Sequence, residues 1–485
     1  MEPASNRLRL SVMMFGLYLI VGAWAVTLAT YLISSPLLGG LSFSAKYVSW
    51  IYNTWAFGGL LAPIFIGLLA DRLFAVQRLL ALFSFLGGAL LIFVALWCES
   101  QQANIESIYR DLTQAITIEN RPMLDLQMEM LADPQALDPE LKQKLIAEQR
   151  NLLEDPRLSE TVDHAFYTLF GLMFCYCFCC IMTIGCSNVM GFRNLAEPQK
   201  NYGRIRLFGT VGWIFAGLIV AFSGTAISHF PLFFAAGLSF VMGVYHLTLP
   251  HTPPLGQGKT LGEAFGLPAL QLFRERPFRI LLGSVFLMSM VQQFYGVYAN
   301  KFLNDLHLPR PAGFQTIAQV GEVLCMAILP WVVDHWGMRK TMLAGLLGWT
   351  LRNALFSTCE VSIVSFVGLP IHGLSFAFFF VTAMIYVDRQ APRKLRASSQ
   401  GIFTFISSGM GVLSGNMLAA WVVKLNTQGE MINWQPVWVV PMLMSAGVLV
   451  FFWIGFRPQL DKVHLEPGEA GKHLVEDIEE LASAS

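Results

Sequence analysis

Charge is what this sequence has least of. Only 13% of its 485 residues are Asp, Glu, Lys or Arg, while 55% are hydrophobic. A soluble domain carries about 25% charged residues, so this chain cannot clothe a water-facing surface of its own size. The 32 basic and 32 acidic residues cancel, which removes the broad basic field that nucleic acid would need. Catalytic signatures are missing too. There is no HExxH and no GxSxG, and the GKT at 258–260 has Pro253 where a phosphate loop requires its first Gly. Neither an enzyme nor a cofactor is expected. Of eight Cys, five (Cys175, Cys177, Cys179, Cys180 and Cys186) crowd one apolar segment. A helix points the first three in different directions, so they read as packing residues and not as metal ligands.

What the chain has in abundance is long apolar runs. A run of roughly 20 apolar residues spans the hydrocarbon core as a helix. About twelve such spans are expected, near 9–34, 47–70, 75–97, 164–190, 205–226, 230–249, 279–303, 313–334, 338–358, 363–387, 397–424 and 436–456. The first is too long for a cleaved signal core and reads as the first transmembrane helix. The fold class is therefore all-α: a polytopic membrane protein with twelve transmembrane helices in two six-helix halves.

Basic residues set the orientation, because cytoplasmic loops are enriched in Lys and Arg. Arg7, Arg9, Arg72, Arg78, Arg193, Lys200, Arg204, Arg206, Arg339, Lys340, Arg389, Arg393, Lys394 and Arg396 fall on one side if the N-terminus is inside. Both termini are then cytoplasmic. The expected organisation is helices 1–3 over 1–98, a polar extracytoplasmic insertion over 99–163, helices 4–6 over 164–249, a cytoplasmic linker over 250–278, helices 7–12 over 279–458 and a cytoplasmic tail over 459–485. Within the insertion, Asp138 is a candidate N-cap with Pro139 at the first helical position. Leu141, Leu145 and Leu152 then form a narrow apolar stripe, so the insertion reads as a helical cap over the outer mouth.

Polar residues inside the spans are the functional candidates, since they usually face a pathway or the bundle interior. In AGFQTIAQVGEVLCMAILPWVV, Gln315, Gln319 and Glu322 are spaced by four and three and share one helix face. Glu322 sits about 15 Å from either end of its span. Charge there is costly unless a cation lies close, so a carboxylate that can be neutral or charged is suited to carrying a proton. The alternative is a neutral Glu that only bonds between helices. In the seventh span, Gln293, Gly296 and Asn300 share a face, with Gln292 and Tyr295 beside it. Their amides serve either a polar substrate or the packing of helices. Arg206, Thr210 and Trp213 share a face of the fifth span. Arg352 either pairs with a carboxylate or snorkels outward. His372 and Ser375 lie three apart in the tenth span.

Two cytoplasmic turns, LLADRLFAVQR and WVVDHWGMRK, occupy equal places in the two halves. Such paired Asp–basic turns resemble the major facilitator superfamily. More specific are RIRLFGTVGW, LPHTPP, FQTIAQVGE, YVDRQAPRKLRASSQGIF and VKLNTQGEMINWQPVW, which resemble the nucleoside:proton symporter family of that superfamily. The resemblance implies the major facilitator fold and proton-coupled nucleoside uptake in a bacterial inner membrane, with nucleoside, proton and lipid as partners. It implies substrate contacts at Arg206, Thr210, Trp213, Gln293, Gln319 and Glu322, with Glu322 also coupling the proton. Two positions depart from the family pattern: Gly296 stands where Asn is usual, and Ala377 where the family carries an Asp. A facilitator, or a symporter or exporter of another small polar metabolite, is the alternative reading.

Overall fold

The structure is a computed structural model and describes residues 4–132, 136–195, 198–254, 267–391 and 396–457. The linker sequence at 255–266, with its GKT, and the tail after 457 lie outside the described residues, as do Arg393 and Lys394.

Helices account for nearly all of the architecture. Helix α1 runs Ala4–Ala25, α2 Leu28–Ile33 and α3 Ala45–Leu68. The Ser44 hydroxyl caps α3 by accepting from the Tyr47 N–H, leaving one fewer orphan donor at that end. Then come α4 Val76–Gln114, α5 Met123–Ala132, α6 Pro139–Leu153 and α7 Pro156–Asn194. Helices α8 Pro198–Ser223, α9 Phe230–His246, α10 Arg276–Asp305 and α11 Pro311–Ser357 follow. The last three are α12 Ile371–Gln390, α13 Ser399–Leu425 and α14 Trp434–Gly455. Two short antiparallel hairpins, β1–β2 (Thr117–Ile118 with Arg121–Pro122) and β3–β4 (Thr427–Gln428 with Met431–Ile432), lie between helices.

Helix α11 has 47 residues, about 70 Å if straight, which is more than twice a hydrocarbon core. It reverses instead at Gly337, whose φ of +75° breaks the helical run inside the DHWGMRK turn. Two crossings result. Among the described residues, nine helices are long and apolar enough to cross a membrane, and α11 is one of them.

Helices α4 and α7 have 39 residues each, so both continue beyond the layer they cross. They run unbroken past residues 99 and 163 and form the base on which α5 and α6 rest. Asp138 caps α6, its Oδ1 accepting from the N–H groups of Glu140 and Leu141, both at 3.0 Å. Leu141, Leu145 and Leu152 are buried beneath α6.

Three apolar cores explain how the halves meet. One is built from early helices alone, around Leu10, Leu80, Met190 and Ile205. Another is built from late helices alone, around Phe278, Leu346, Trp349 and Phe452. Both lie toward the face where α1 begins and α14 ends, here the proximal face. The largest core mixes the two sets, with Trp24, Leu32 and Tyr109 packed in one cluster with Tyr298, Phe302 and Trp438 at the distal face. The halves are thus welded distally and separate proximally.

Cross-half hydrogen bonds reinforce the distal weld. Thr30 Oγ1 donates to Asn300 Oδ1 at 2.8 Å, and the Tyr298 hydroxyl donates to the Ala45 carbonyl at 3.3 Å. Farther out, the Tyr109 hydroxyl on extended α4 donates to Glu430 Oε1 in the β3–β4 hairpin at 2.8 Å, and Gln127 Nε2 donates to that same hydroxyl at 2.9 Å. Burial holds the Glu430 carboxyl above the usual carboxylate range, against the opposing pull of the Tyr109 and Ser35 hydroxyls and the Lys301 ammonium.

Because the folded-state value is raised, Glu430 contributes stability that is present below the unfolded value and is lost as pH rises through the folded one. The melting midpoint of the wild-type protein in detergent, relative to Glu430→Gln, is expected to be highest below the unfolded carboxyl value of about 4.3 and to decline as pH rises above it. Parallel curves for the two proteins would refute this account.

Candidate functional site

Between the halves, at mid-depth, lies a cavity of about 480 Å³. Helix α8 contributes Arg206, Thr210 and Trp213 to its wall, α10 contributes Gln293, and α11 contributes Gln319 and Glu322. The structure therefore brings together all six residues singled out in the sequence. Gln292, Tyr295, Gln315 and His372 join them, along with Gly296.

Close helix crossings aim these side chains. On α13, a Cβ at Gly415 would lie 2.6 Å from Met290 Cα and 2.8 Å from Gln293 Cγ, so α10 and α13 touch where Gln293 leaves the backbone. The approach at Glu322 is tighter still. A Cβ at Gly373 of α12 would lie 2.0 Å from the Gly321 carbonyl carbon and 2.2 Å from the Glu322 nitrogen. No side chain fits there, and the lack of one fixes the depth at which Glu322 enters the cavity.

The wall is chemically divided. The α1, α3 and α8 side is largely aromatic, with Tyr18, Trp24, Tyr52, Trp55 and Trp213. Arg206 is its cation, and its guanidinium carbon sits 3.9 Å from the centroid of the Tyr18 ring. Such a contact offsets part of the cost of a dry charge. The α10, α11 and α13 side carries the amides. Among the lining residues Glu322 alone is acidic, and it lies within the electrostatic reach of Arg206. On this wall the Tyr295 hydroxyl, Gln315 Nε2, Gln319 Oε1 and Asn416 Oδ1 are buried without a partner in the protein. A buried polar atom left unpaired costs about 1–3 kcal/mol. Several converging on one cavity suit a ligand rich in donors and acceptors.

Other sequence expectations are redirected. Asn300 was placed on one face with Gln293 but serves the distal weld through Thr30. Arg352 neither snorkels nor meets a carboxylate: it is fully buried, and its Nη1 donates to the His372 ring. Ala377 is buried with Leu329, Val332 and Phe378, off the cavity wall. The same stretch of α12 reaches the wall through His372 and Phe376. Sequence reasoning found Trp213 but missed Tyr18, Trp24, Tyr52 and Trp55, because a Trp or Tyr in an apolar helix looks the same whether it faces a core or a cavity. It also missed Asn416, whose Nδ2 donates to Asn53 Oδ1 at 2.9 Å across the halves. The signal was available, since both are amides inside apolar spans.

The chain is similar to known proteins along most of its length. The sequence profile of the family described as Nucleoside H+ symporter matches residues 4–110 and 159–461. The chain is 29% identical to YegT of Escherichia coli (strain K12), with 93% of each chain covered. It is 24% identical to the xanthosine permease of the same organism, covering 93% of this chain and 96% of that one. The crystal structure of the nucleoside transporter NupG superposes with a TM-score of 0.71 at 21% identity, over 94% of this chain and all of that one. That likeness establishes the fold.

The crossing at Gly373 makes a direct prediction. Gly373→Ala forces α12 away from the Glu322 backbone, an overpacking that costs about 1–3 kcal/mol. A lower melting midpoint and weaker substrate binding are expected together. Gly237→Ala, where a new Cβ meets nothing within 4 Å, should change neither. An unaffected Gly373→Ala protein would show that the crossing does not position Glu322.

Proposed function

We propose that this chain, which belongs to the Nucleoside H+ symporter family, carries nucleosides into the cell with protons by alternating access. The observation that carries the reading is the convergence of Arg206, Thr210, Trp213, Gln293, Gln319 and Glu322 on one mid-depth cavity between two helix sets. A nucleoside has one flat apolar face and many polar edge atoms. An aromatic wall facing an amide wall offers stacking to the base and paired donors and acceptors to the hydroxyls.

The distribution of basic residues supports placing the proximal face in the cytoplasm, and a helical bundle belongs to the inner membrane of a bacterium. The distal weld then closes the outer side, and the arrangement is the inward-facing state. In the outward-facing state the distal weld opens, and Glu322 takes a proton as substrate enters. A neutral Glu322 can donate to a substrate hydroxyl. Closure around a neutral acid avoids carrying an unpaired carboxylate through a dry intermediate, which would cost several kcal/mol. Return to the inward-facing state rehydrates Glu322, and both proton and nucleoside leave. One proton moving down 100 mV supplies about 2.3 kcal/mol.

Ala377 supports a second reading. The family resemblance puts an Asp at this position; here it is an alanine that lies off the wall, and Glu322 is the one carboxylate on the described wall. A carrier that only equilibrates its substrate would be consistent with that loss.

Uptake of labelled uridine and adenosine into proteoliposomes, with and without an inward proton gradient, separates the two. Gradient-driven accumulation is expected from the wild-type protein. Glu322→Gln should keep binding and lose accumulation by roughly tenfold or more, since the driving force of each proton is no longer coupled. A mutant that still concentrates substrate would remove Glu322 from the proton path, and gradient-insensitive uptake by the wild type would favour the facilitator.

A further inference from the structure

Arg352 is a costly side chain to bury. It is fully buried, and among the described residues no carboxylate pairs with it. Its Nε and Nη2 have no partner in the protein. Aromatic rings surround it instead, with the guanidinium carbon 4.3 Å from the Trp349 centroid and 4.4 Å from the Tyr295 centroid. Cation–π contacts of this kind return only about 2 kcal/mol when desolvated. The single hydrogen bond it makes runs from Nη1 to Nδ1 of His372.

That bond has a chemical consequence. A guanidinium has five N–H donors and no acceptor. The His372 Nδ1 facing it must therefore be the lone-pair nitrogen, and in a neutral ring the proton is then on Nε2. His372 is 7% exposed, and it lines the cavity. Its ring is stacked on Tyr295, with centroids 4.8 Å apart and planes at 23°. Among the described residues nothing accepts from Nε2. The ring is thus stacked on Tyr295, set in its tautomer by the Arg352 guanidinium, and left with an Nε2–H that no described protein atom accepts.

We propose that His372 contacts the substrate through its Nε2–H, donating to an acceptor oxygen or ring nitrogen, and that Arg352 is a positioning residue that fixes this tautomer. Identification of the acceptor as part of a nucleoside rests on the function proposed above. The arrangement gives the wall a donor that stays a neutral donor beside Glu322, whose own donor comes and goes with its proton. Arg352 suits this role because a guanidinium always donates and never accepts at that nitrogen.

Two measurements on the full-length protein test this. The first is equilibrium binding of labelled uridine and adenosine to protein in nanodiscs. His372→Phe is expected to weaken binding about tenfold, in line with loss of one buried donor. His372→Gln, which can place an amide N–H near the former Nε2, should stay within about threefold. Arg352→Met should weaken binding about as much as His372→Phe, with little further loss in the double variant. Arg352→Lys should restore most of it. The second measurement is solid-state ¹⁵N spectroscopy of histidine-labelled protein in lipid, with the His372 signals assigned by difference from His372→Gln. A protonated Nε2 and bare Nδ1 are expected, with the pattern lost in Arg352→Met. A protonated Nδ1 in the wild type would overturn the proposal, as would wild-type affinity in His372→Phe. Absence of nucleoside binding by the wild type would overturn the nucleoside reading, while the ¹⁵N pattern would still decide the tautomer.

Discussion

A polar atom inside the hydrocarbon layer must find a partner or face water, and the rest of this structure follows from that demand. Backbone groups meet it by forming helices throughout the crossings. Side chains meet it in three ways. Some bond across the halves, as Thr30 does with Asn300 and Asn416 with Asn53. Some shelter in aromatic packing, as Arg352 does. The remainder, with Gln319, Glu322 and Tyr295 among them, are gathered around one cavity.

These solutions are distributed unevenly between the two faces. Distally the halves share one core and several hydrogen bonds; proximally each keeps its own core. Alternating access requires the shared core to split and the separate ones to meet. Apolar contact on the distal side is broad but non-directional, and can be remade elsewhere. The polar bonds there set the register in which the halves close. The stretch 111–158, outside the family match, adds to this weld through Gln127, whose Nε2 donates to the Tyr109 hydroxyl that bonds Glu430. The distal mouth is thus reinforced from a stretch that the family match does not cover.

Chemistry at the cavity depends on backbone contact more than on charge. Glu322 has its depth set by the glycine crossing at Gly321 and Gly373. Gln293 is placed by the contact with Gly415. These crossings lie next to π-helical stretches in α12 and α13, at Ala377–Val381 and Phe405–Gly411. Extra residues in a turn at such points are common near functional sites, where a helix must present a particular face and still bend.

Much of this was legible without coordinates. Long apolar runs fixed the class and the places of the crossings, because span length is set by bilayer thickness. The spacing of Gln315, Gln319 and Glu322 placed them on one face, because helical periodicity is local. Asp138 announced the start of α6 for the same reason. What the sequence could not settle is which side of a helix meets what. Asn300 and Gln293 share a face, yet one welds the halves and the other lines the cavity, since seven residues along a helix change depth by about 10 Å. Arg352 looked free to snorkel, and only the packing of Trp349, Tyr295 and His372 around it shows that it has no route to water. Period and composition act along the chain and can be read from it. Depth, partner and enclosure arise where distant segments cross, and there the tertiary structure alone decides.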